Sequence, residues 1–253
     1  MIKFASLGSG SKGNATLVCV DDTCLLIDCG YSIRELERRL DQLDLVPQQL
    51  SAVLVTHEHS DHIKGVGALS RRYRLPVYMT AGSYLESVCG ELHQYHSIKH
   101  SEAFHIEDVR ITPVAVPHDA REPCQYIFEY NQLKLGVLTD LGIITPYILA
   151  LYQGCHGLLV EANHDSLMLS QGPYPPSLKA RVGSNWGHLN NVQTAEFLGA
   201  VDSRNLQHIL IGHISEKNNH IDAIQSAVAE NFRGDARVTF ANQDHASDWI
   251  YIE

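Results

Sequence analysis

The chain has 253 residues, of which 44% are hydrophobic and 19% are charged. A chain of this length can bury a sizeable core, and its even composition excludes a disordered tail or a low-complexity linker, so we expect one folded domain over residues 1–253. The formal net charge of −10 repels polyanions, which argues against extensive nucleic-acid wrapping but permits a local cationic cleft.

The N-terminal residues lack the basic segment and apolar stretch of an export signal. Apolar runs such as residues 52–55 fall far short of the roughly 20 residues that cross a bilayer. We therefore expect a cytoplasmic protein that does not associate with a membrane.

The cysteines form no C-x-x-C pair and several lie in strand-like segments, so we predict that they are buried free thiols. They are Cys19, Cys24, Cys29, Cys89, Cys124 and Cys155.

Short apolar runs rich in Val, Ile and Leu predict strands along the whole chain. In chain order they span residues 2–7, 15–20, 23–28, 52–56, 109–116, 126–130, 133–139, 157–161, 208–212, 236–240 and 248–251. Helical spacing of apolar residues predicts helices over residues 32–43, 192–201 and 221–232. Groups of strands separated by single helices in both halves indicate an α/β fold, a four-layer αββα sandwich of two mixed β-sheets flanked by helices.

A dense group of metal-ligand side chains follows the predicted strand at residues 52–56. The segment reads Thr56-His57-Glu58-His59-Ser60-Asp61-His62, which places four potential ligands within six residues. A strand that ends in a tight turn can direct His57 and His59 at one metal ion, while Asp61 and His62 face a second. A polar surface loop is the alternative, and it rarely produces a cluster this dense.

The pattern H-x-H-x-D-H after an apolar strand resembles the signature of the metallo-β-lactamase superfamily. In that superfamily three further ligands follow later strands, and this chain has a candidate for each in the expected order, namely His118, Asp140 and His213. A single histidine at a strand end is more often structural, so their joint occurrence is what supports them. The resemblance implies two metal ions. It assigns His57, His59 and His118 to the first ion, Asp61, His62 and His213 to the second, and Asp140 to a bridge between them.

Further segments resemble the YycJ/WalJ-type branch of this superfamily, which contains metal-dependent exonucleases and is related to phosphodiesterases. They are residues 7–14, 161–165, 187–191 and 213–219. The resemblance implies a phosphodiester substrate, DNA or RNA attacked from an end. The Gly-rich residues 8–14 lack the lysine and Ser/Thr ending of a nucleotide-binding P-loop. Either a tight turn or a lining of the active-site edge explains these glycines.

Two histidines outside this ligand set, His164 and His188, lie in loops rich in Asn, Gly and Pro, from which a side chain can reach a cleft. Either can donate a proton to a leaving group, and a role as a satisfied structural histidine is the alternative for each. Together with Asp61, whose loss would remove a metal ligand, they are the candidate catalytic residues. Lys179 and Arg181 are candidates for phosphate contact, although a solvated helix face also explains them.

Two bridged metal ions would lower the pKa of a shared water toward neutrality and supply a hydroxide nucleophile. A mixed set of His and carboxylate ligands suits zinc, which we expect, and also manganese or iron. The leading hypothesis is a two-metal phosphodiesterase or exonuclease acting on DNA or RNA. The alternatives are a small-molecule cyclic phosphodiesterase, a thioester or lactone hydrolase built on the same metal core, and an inactive metal-binding regulatory protein.

Overall fold

A computed structural model describes all 253 residues, and its strands form two mixed seven-stranded sheets. The strands are β1 (Ile2–Gly8), β2 (Ala15–Val20), β3 (Thr23–Ile27), β4 (Ala52–Leu54), β5 (Pro76–Thr80), β6 (Gln94–Ile98), β7 (Phe104–Ile106), β8 (Val109–Ala115), β9 (Cys124–Tyr130), β10 (Leu133–Leu138), β11 (Gly157–Glu161), β12 (His208–Gly212), β13 (Arg237–Phe240) and β14 (Ile250–Ile252).

The α-helices lie between these strands, and several are only one or two turns long. They are α1 (Ile33–Asp41), α2 (Ser60–Ile63), α3 (Val66–Tyr73), α4 (Glu86–Cys89), α5 (Pro146–Leu151), α6 (Ser166–Gln171), α7 (Pro176–Val182), α8 (Asn191–Ala200) and α9 (Ile221–Asn231), with one 3-10 turn at Pro47–Gln49. None of them is both long and apolar enough to span a bilayer.

The contacts within the chain define two compact units. The first unit contains Met1–Ala115, Ala120–Leu133 and Ala241–Glu253, and the second contains Val116–Asp119 and Lys134–Phe240. The expectation that residues 1–253 act as one domain stays a prediction.

The first unit contains a complete seven-stranded sheet in the order β14-β1-β2-β3-β4-β5-β6. Its pairs are antiparallel from β14 to β3 and parallel from β3 to β6, so the carboxyl ends of β3 and β4 lie at the same edge. Strands β7, β8 and β9 of this unit pair antiparallel. Helix α1 buries Leu36 and Leu40 in a core that also contains Leu17 and Val53. Ser32 caps this helix by accepting a hydrogen bond from the Glu35 N–H.

The second unit is built on the parallel strands β10, β11, β12 and β13. Every residue of β11 is buried, which is typical of parallel strands because helices cover their faces. The parallel register places the carboxyl ends of β10, β11 and β12 side by side. Asp140 follows the end of β10, Glu161 ends β11, and His213 directly follows β12. Ligands of open α/β sheets bind at this edge.

Each strand and helix predicted from the sequence is present, with ends shifted by at most two residues. Strands β5, β6 and β7 were not predicted. Strand β5 begins with a proline, β6 carries polar residues at most positions, and β7 has only three residues. Their apolar patterns are therefore too short to reveal a strand period.

The prediction that all cysteines are free thiols is wrong for one pair. Cys19 and Cys24 form a disulfide across the β2–β3 hairpin. They are direct partners in the strand register, with Cα atoms 4.1 Å apart, which the five-residue spacing alone does not reveal. The remaining cysteines are buried and free, as predicted; they are Cys29, Cys89, Cys124 and Cys155.

Two neighbouring arginines of α1 differ sharply in their surroundings. Arg39 is 4% exposed, and its guanidinium donates to the backbone carbonyls of Leu7 and Gln243. We expect Arg39→Met to lower the free energy of unfolding by about 3 kcal/mol, because it leaves buried carbonyls without a charged donor. Arg38 is exposed, and the matched variant Arg38→Met should lower the free energy of unfolding far less. Urea unfolding measures both, and equal losses would contradict a special role for Arg39.

Candidate metal centre

The histidine-rich segment of the first unit lies in the loop from β4 into α2. The ring centroid of His57 lies 4.5 Å from that of His59 and 4.1 Å from that of His62. Asp61 Oδ2 lies 3.6 Å from His62 Nε2. His57 and His62 are buried, while His59 and Asp61 are partly exposed. The structure therefore brings these four predicted ligands together within the first unit.

Asp28 supports this cluster from the end of the neighbouring strand β3, and sequence analysis assigned it no role. Its carboxylate accepts hydrogen bonds from the Thr56 N–H at 2.8 Å and the Thr56 hydroxyl at 2.7 Å. His62 Nδ1 lies 2.8 Å from Asp28 Oδ2, so the imidazole donates its Nδ1 proton to this carboxylate and carries its lone pair on Nε2. Burial raises the pKa of Asp28, and the adjacent His62 acts in the opposite direction.

The Gly-rich loop between β1 and β2 borders the same cluster. Asn14 Nδ2 lies 3.0 Å from His62 Nε2 and 3.3 Å from Asp61 Oδ2. The Asn14 N–H also donates to the Asp61 carbonyl at 2.7 Å. A glycine at position 13 fits because Tyr31 leaves no room there for a side chain. The loop thus serves both as a tight turn and as one edge of the cluster.

In the second unit, four side chains converge where the parallel strands end. Asp140, Glu161, His188 and His213 each offer one ligand atom, and these atoms all lie within 4.8 Å of one another. His213 Nδ1 is 3.0 Å from Asp140 Oδ1, and His188 Nδ1 is 3.9 Å from the same oxygen. Asp140 and His213 offer the carboxylate and imidazole donors that zinc, manganese or iron accept, and Glu161 and His188 lie beside them. The residues present therefore fit a divalent metal ion.

Glu161 holds this group in place. Its buried carboxylate accepts hydrogen bonds from the backbone N–H groups of Asp140 at 3.0 Å, Leu141 at 3.2 Å and Leu189 at 2.8 Å. His188 Nδ1 lies 3.1 Å from Glu161 Oε2. Sequence analysis quoted Glu161 only as part of a family segment. Its position as the one charged residue at the end of an otherwise apolar strand is the signal that could have identified it.

His118, the remaining predicted ligand, lies in a loop of the second unit. Its Nδ1 is 3.1 Å from the Gly187 carbonyl oxygen, so the ring donates its Nδ1 proton there and carries its lone pair on Nε2. The ring centroids of His118 and His188 are 5.3 Å apart, and those of His188 and His213 are 4.9 Å apart. The structure thus places His188, predicted as a proton donor, between two predicted ligands.

His164, the other candidate proton donor, is not in the group formed around Glu161. Its side chain is 2% exposed, and its buried Nδ1 makes no hydrogen bond. Burial lowers the pKa of His164 to about 4, so its imidazole is neutral at neutral pH. It lines a cleft of about 510 Å³ together with Asn190 and Lys179. Lys179 Nζ donates to the Ser170 carbonyl, and Arg181 pairs with Asp119.

Comparison with known proteins identifies the family. Residues 23–214 match the family model described as a β-lactamase superfamily domain. The chain is 35% identical to exodeoxyribonuclease YycJ of Bacillus anthracis over 90% of this chain and 88% of that protein. It is 34% identical to exodeoxyribonuclease WalJ of Streptococcus pneumoniae serotype 2 (strain D39) over 86% of this chain and 83% of that protein.

A solved structure extends the likeness to the whole fold. The metallo-β-lactamase fold protein YhfI from Bacillus subtilis has a TM-score of 0.75 and 16% identity, and the match covers 98% of this chain and 100% of that chain. The predicted fold class is therefore confirmed. The chain belongs to the metallo-β-lactamase superfamily of metal-dependent hydrolases, in the family of the YycJ and WalJ exodeoxyribonucleases.

Replacing Glu161 by glutamine tests its supporting role. Gln keeps the shape, but its amide nitrogen donates where Glu161 accepts, so at least one backbone N–H or the His188 ring loses its partner. We expect Glu161→Gln to weaken zinc binding about 10- to 100-fold, as loss of outer-sphere support does at other metal sites. Competition with a chromogenic chelator measures the affinity. Glu196→Gln, at an exposed position of α8, is the matched control. Equal zinc affinities in both variants would contradict this role.

Proposed function

We propose that this chain is a metal-dependent exonuclease that hydrolyses phosphodiester bonds at DNA ends. The carrying observation is the convergence of Asp140, Glu161, His188 and His213 in a chain that resembles two exodeoxyribonucleases over most of its length. Converging carboxylates and imidazoles are typical of divalent metal sites, and the resemblance to exodeoxyribonucleases favours DNA over RNA. The negative net charge of −10 fits contact with a short end of the substrate rather than a long stretch.

We further propose that two divalent metal ions, by default zinc, are held by seven side chains, and that residues 1–253 act as one domain. The local geometry supports this assignment, because Asp28 and the Gly187 carbonyl each orient one ligand imidazole through Nδ1. The proposed ligands are His57, His59 and His118 for one ion, Asp61, His62 and His213 for the other, and Asp140 for both. Manganese and iron suit the same donors.

The bound metal ions would activate water and neutralise charge on the phosphate. What remains for the protein is to protonate the leaving oxygen, and we propose that His188 does so. The Glu161 carboxylate at 3.1 Å orients the His188 ring. Burial holds His164 neutral, which suits a hydrogen-bonding role better than that of an acid.

A DNA substrate also supports a cytoplasmic location, whereas the Cys19–Cys24 disulfide is unusual for a reducing compartment.

Metal content and hydrolysis test the proposed function together. Protein purified with added zinc should contain close to two metal ions per chain by elemental analysis. Asp61→Ala should abolish hydrolysis of an end-labelled DNA oligonucleotide and lower metal content, while leaving the fold intact, because Asp61 is partly exposed. Asp222→Ala, at an exposed carboxylate of α9, is the matched control and should keep both metal and activity.

The alternatives make different predictions in the same assay. RNA, a cyclic phosphodiester and a thioester are offered in parallel with the DNA oligonucleotide. Turnover of the thioester alone would replace the nuclease proposal with a small-ester hydrolase. Two bound metal ions without turnover of any substrate would indicate a metal-binding regulatory protein. Absence of metal after supplementation would contradict the metal centre itself.

Leaving-group chemistry separates the two candidate donors. His188→Ala should lower turnover about 10²- to 10⁴-fold on a substrate with a poor leaving group. The defect should shrink on a nitrophenyl phosphodiester, because a nitrophenolate needs little protonation. His164→Ala, the matched histidine variant, should affect both substrates alike. Metal analysis of each variant is the control, since a lost metal ion would also lower turnover. Equal defects of His188→Ala on both substrates would reject its role as the acid.

A further inference from the structure

The two tryptophans of the chain have contrasting environments. Trp249 packs against the core of the first unit, and Lys3 Nζ lies 4.4 Å from its ring centroid. Trp186, in the second unit, is 61% exposed. Single exposed apolar side chains are common on protein surfaces, so exposure alone does not define a site. The backbone around Trp186 and its distance from the metal centre supply the further evidence.

Trp186 lies in the loop that follows α7, residues 183–188, and this loop is held by hydrogen bonds of its own backbone and to the end of α7. The His188 N–H donates to the Val182 carbonyl at 2.9 Å, and the Gly187 N–H donates to the Ser184 carbonyl at 2.9 Å. The Trp186 N–H donates to the Ser184 hydroxyl at 3.2 Å. The loop therefore presents the indole ring from a rigid backbone, so little conformational entropy is lost when a ligand contacts it.

The same loop forms part of the metal centre. The Trp186 carbonyl accepts a hydrogen bond from the Asp119 N–H at 2.9 Å, and the next carbonyl, of Gly187, accepts from His118 Nδ1 at 3.1 Å. Two residues after Trp186, His188 contacts Glu161. Two Cα–Cα steps span at most about 7.6 Å, so the backbone that carries the indole ring lies close to that of His188. A base on the indole ring would thus lie within a few nucleotides of the centre.

The charge of the chain favours this kind of contact. The net charge of −10 repels the phosphate backbone at long range. The cations nearest in sequence are already engaged, since Arg181 pairs with Asp119 and Lys179 donates to the Ser170 carbonyl. Stacking of a base on an aromatic ring does not depend on net charge and accepts any base. Affinity for a DNA end can therefore come from an exposed ring where it cannot come from a basic surface.

We propose that Trp186 stacks on an unpaired base near the end of a DNA strand and so positions a nearby phosphodiester bond at the centre formed by Asp140 and His188. This inference rests on the proposed exonuclease function and specifies its substrate as a single-stranded or frayed end. A paired base inside a duplex is already stacked on both faces, so an unpaired base is the ligand that the ring accepts.

Fluorescence of Trp186 tests the contact directly. Trp249→Phe leaves Trp186 as the only tryptophan, and Trp249 lies outside the proposed metal centre. Adding a single-stranded phosphorothioate oligonucleotide, which resists hydrolysis, to the zinc-loaded variant should quench its emission in a saturable way. A blunt duplex of the same length should quench less. Unchanged emission at oligonucleotide concentrations that saturate binding would overturn the proposal.

Affinity measured by fluorescence anisotropy tests the contribution of Trp186 to DNA binding and identifies the position of the stacked base. Trp186→Ala should weaken binding of the labelled oligonucleotide about 5- to 150-fold, the range of base stacking free energies, while Trp186→Phe should retain most of the affinity. Leu167→Ala, at another exposed apolar side chain of the second unit (63% exposed), is the matched control and should bind normally. In a series of oligonucleotides, an abasic site is placed at successive positions from the end. At one position it should weaken binding to the wild type but not to Trp186→Ala.

The outcomes separate this inference from the function on which it rests. If the wild type binds and cleaves DNA but Trp186→Ala binds it equally well, the stacking proposal is overturned and the exonuclease proposal stands. If the wild type neither binds nor cleaves any DNA, both are overturned. If Trp186→Ala loses affinity for duplex and single strand equally, the ring contacts something other than an unpaired base, and the proposal is also overturned.

Discussion

The chemistry of the second unit depends on one buried carboxylate. Glu161 accepts hydrogen bonds from backbone N–H groups on both sides of it, at Asp140 after β10 and at Leu189 before α8. These groups belong to segments that are distant in sequence and that would otherwise leave their N–H donors unsatisfied in a dry interior. The same carboxylate orients the His188 ring. A single side chain thus fixes both the backbone around a proposed metal ligand and the proposed acid.

Asp28 has the corresponding role in the first unit. Its carboxylate accepts from the Thr56 N–H and hydroxyl and orients His62, so it joins the end of β3 to the loop after β4. In both units a buried acid at the carboxyl end of a parallel strand supports histidines on the neighbouring segment. Such support is effective because each acceptor oxygen has its partners already in place, which limits the rotamers open to the imidazoles.

The difference between what the sequence predicted and what it missed follows from how local each signal is. The cluster from His57 to His62 is contiguous, and the strands have continuous apolar runs, so both are visible in one short window. Asp28 and Glu161 act through partners that strand pairing brings near, about 30 residues away in sequence, and no local pattern encodes that pairing. The Cys19–Cys24 disulfide was not predicted for the same reason, since it depends on the register of the β2–β3 hairpin.

The buried acids also connect stability to metal binding. Asp140 and Glu161 are both buried and face the same pair of imidazoles, and two such carboxylates in a low-dielectric interior repel each other unless a cation compensates them. A divalent cation would supply such a charge, and it binds an imidazole only in its neutral form. Because ligands must be deprotonated to bind a metal ion, the affinity of the proposed metal falls as the pH falls. The positive charge that completes the hydrolytic centre would also offset the repulsion between its buried carboxylates.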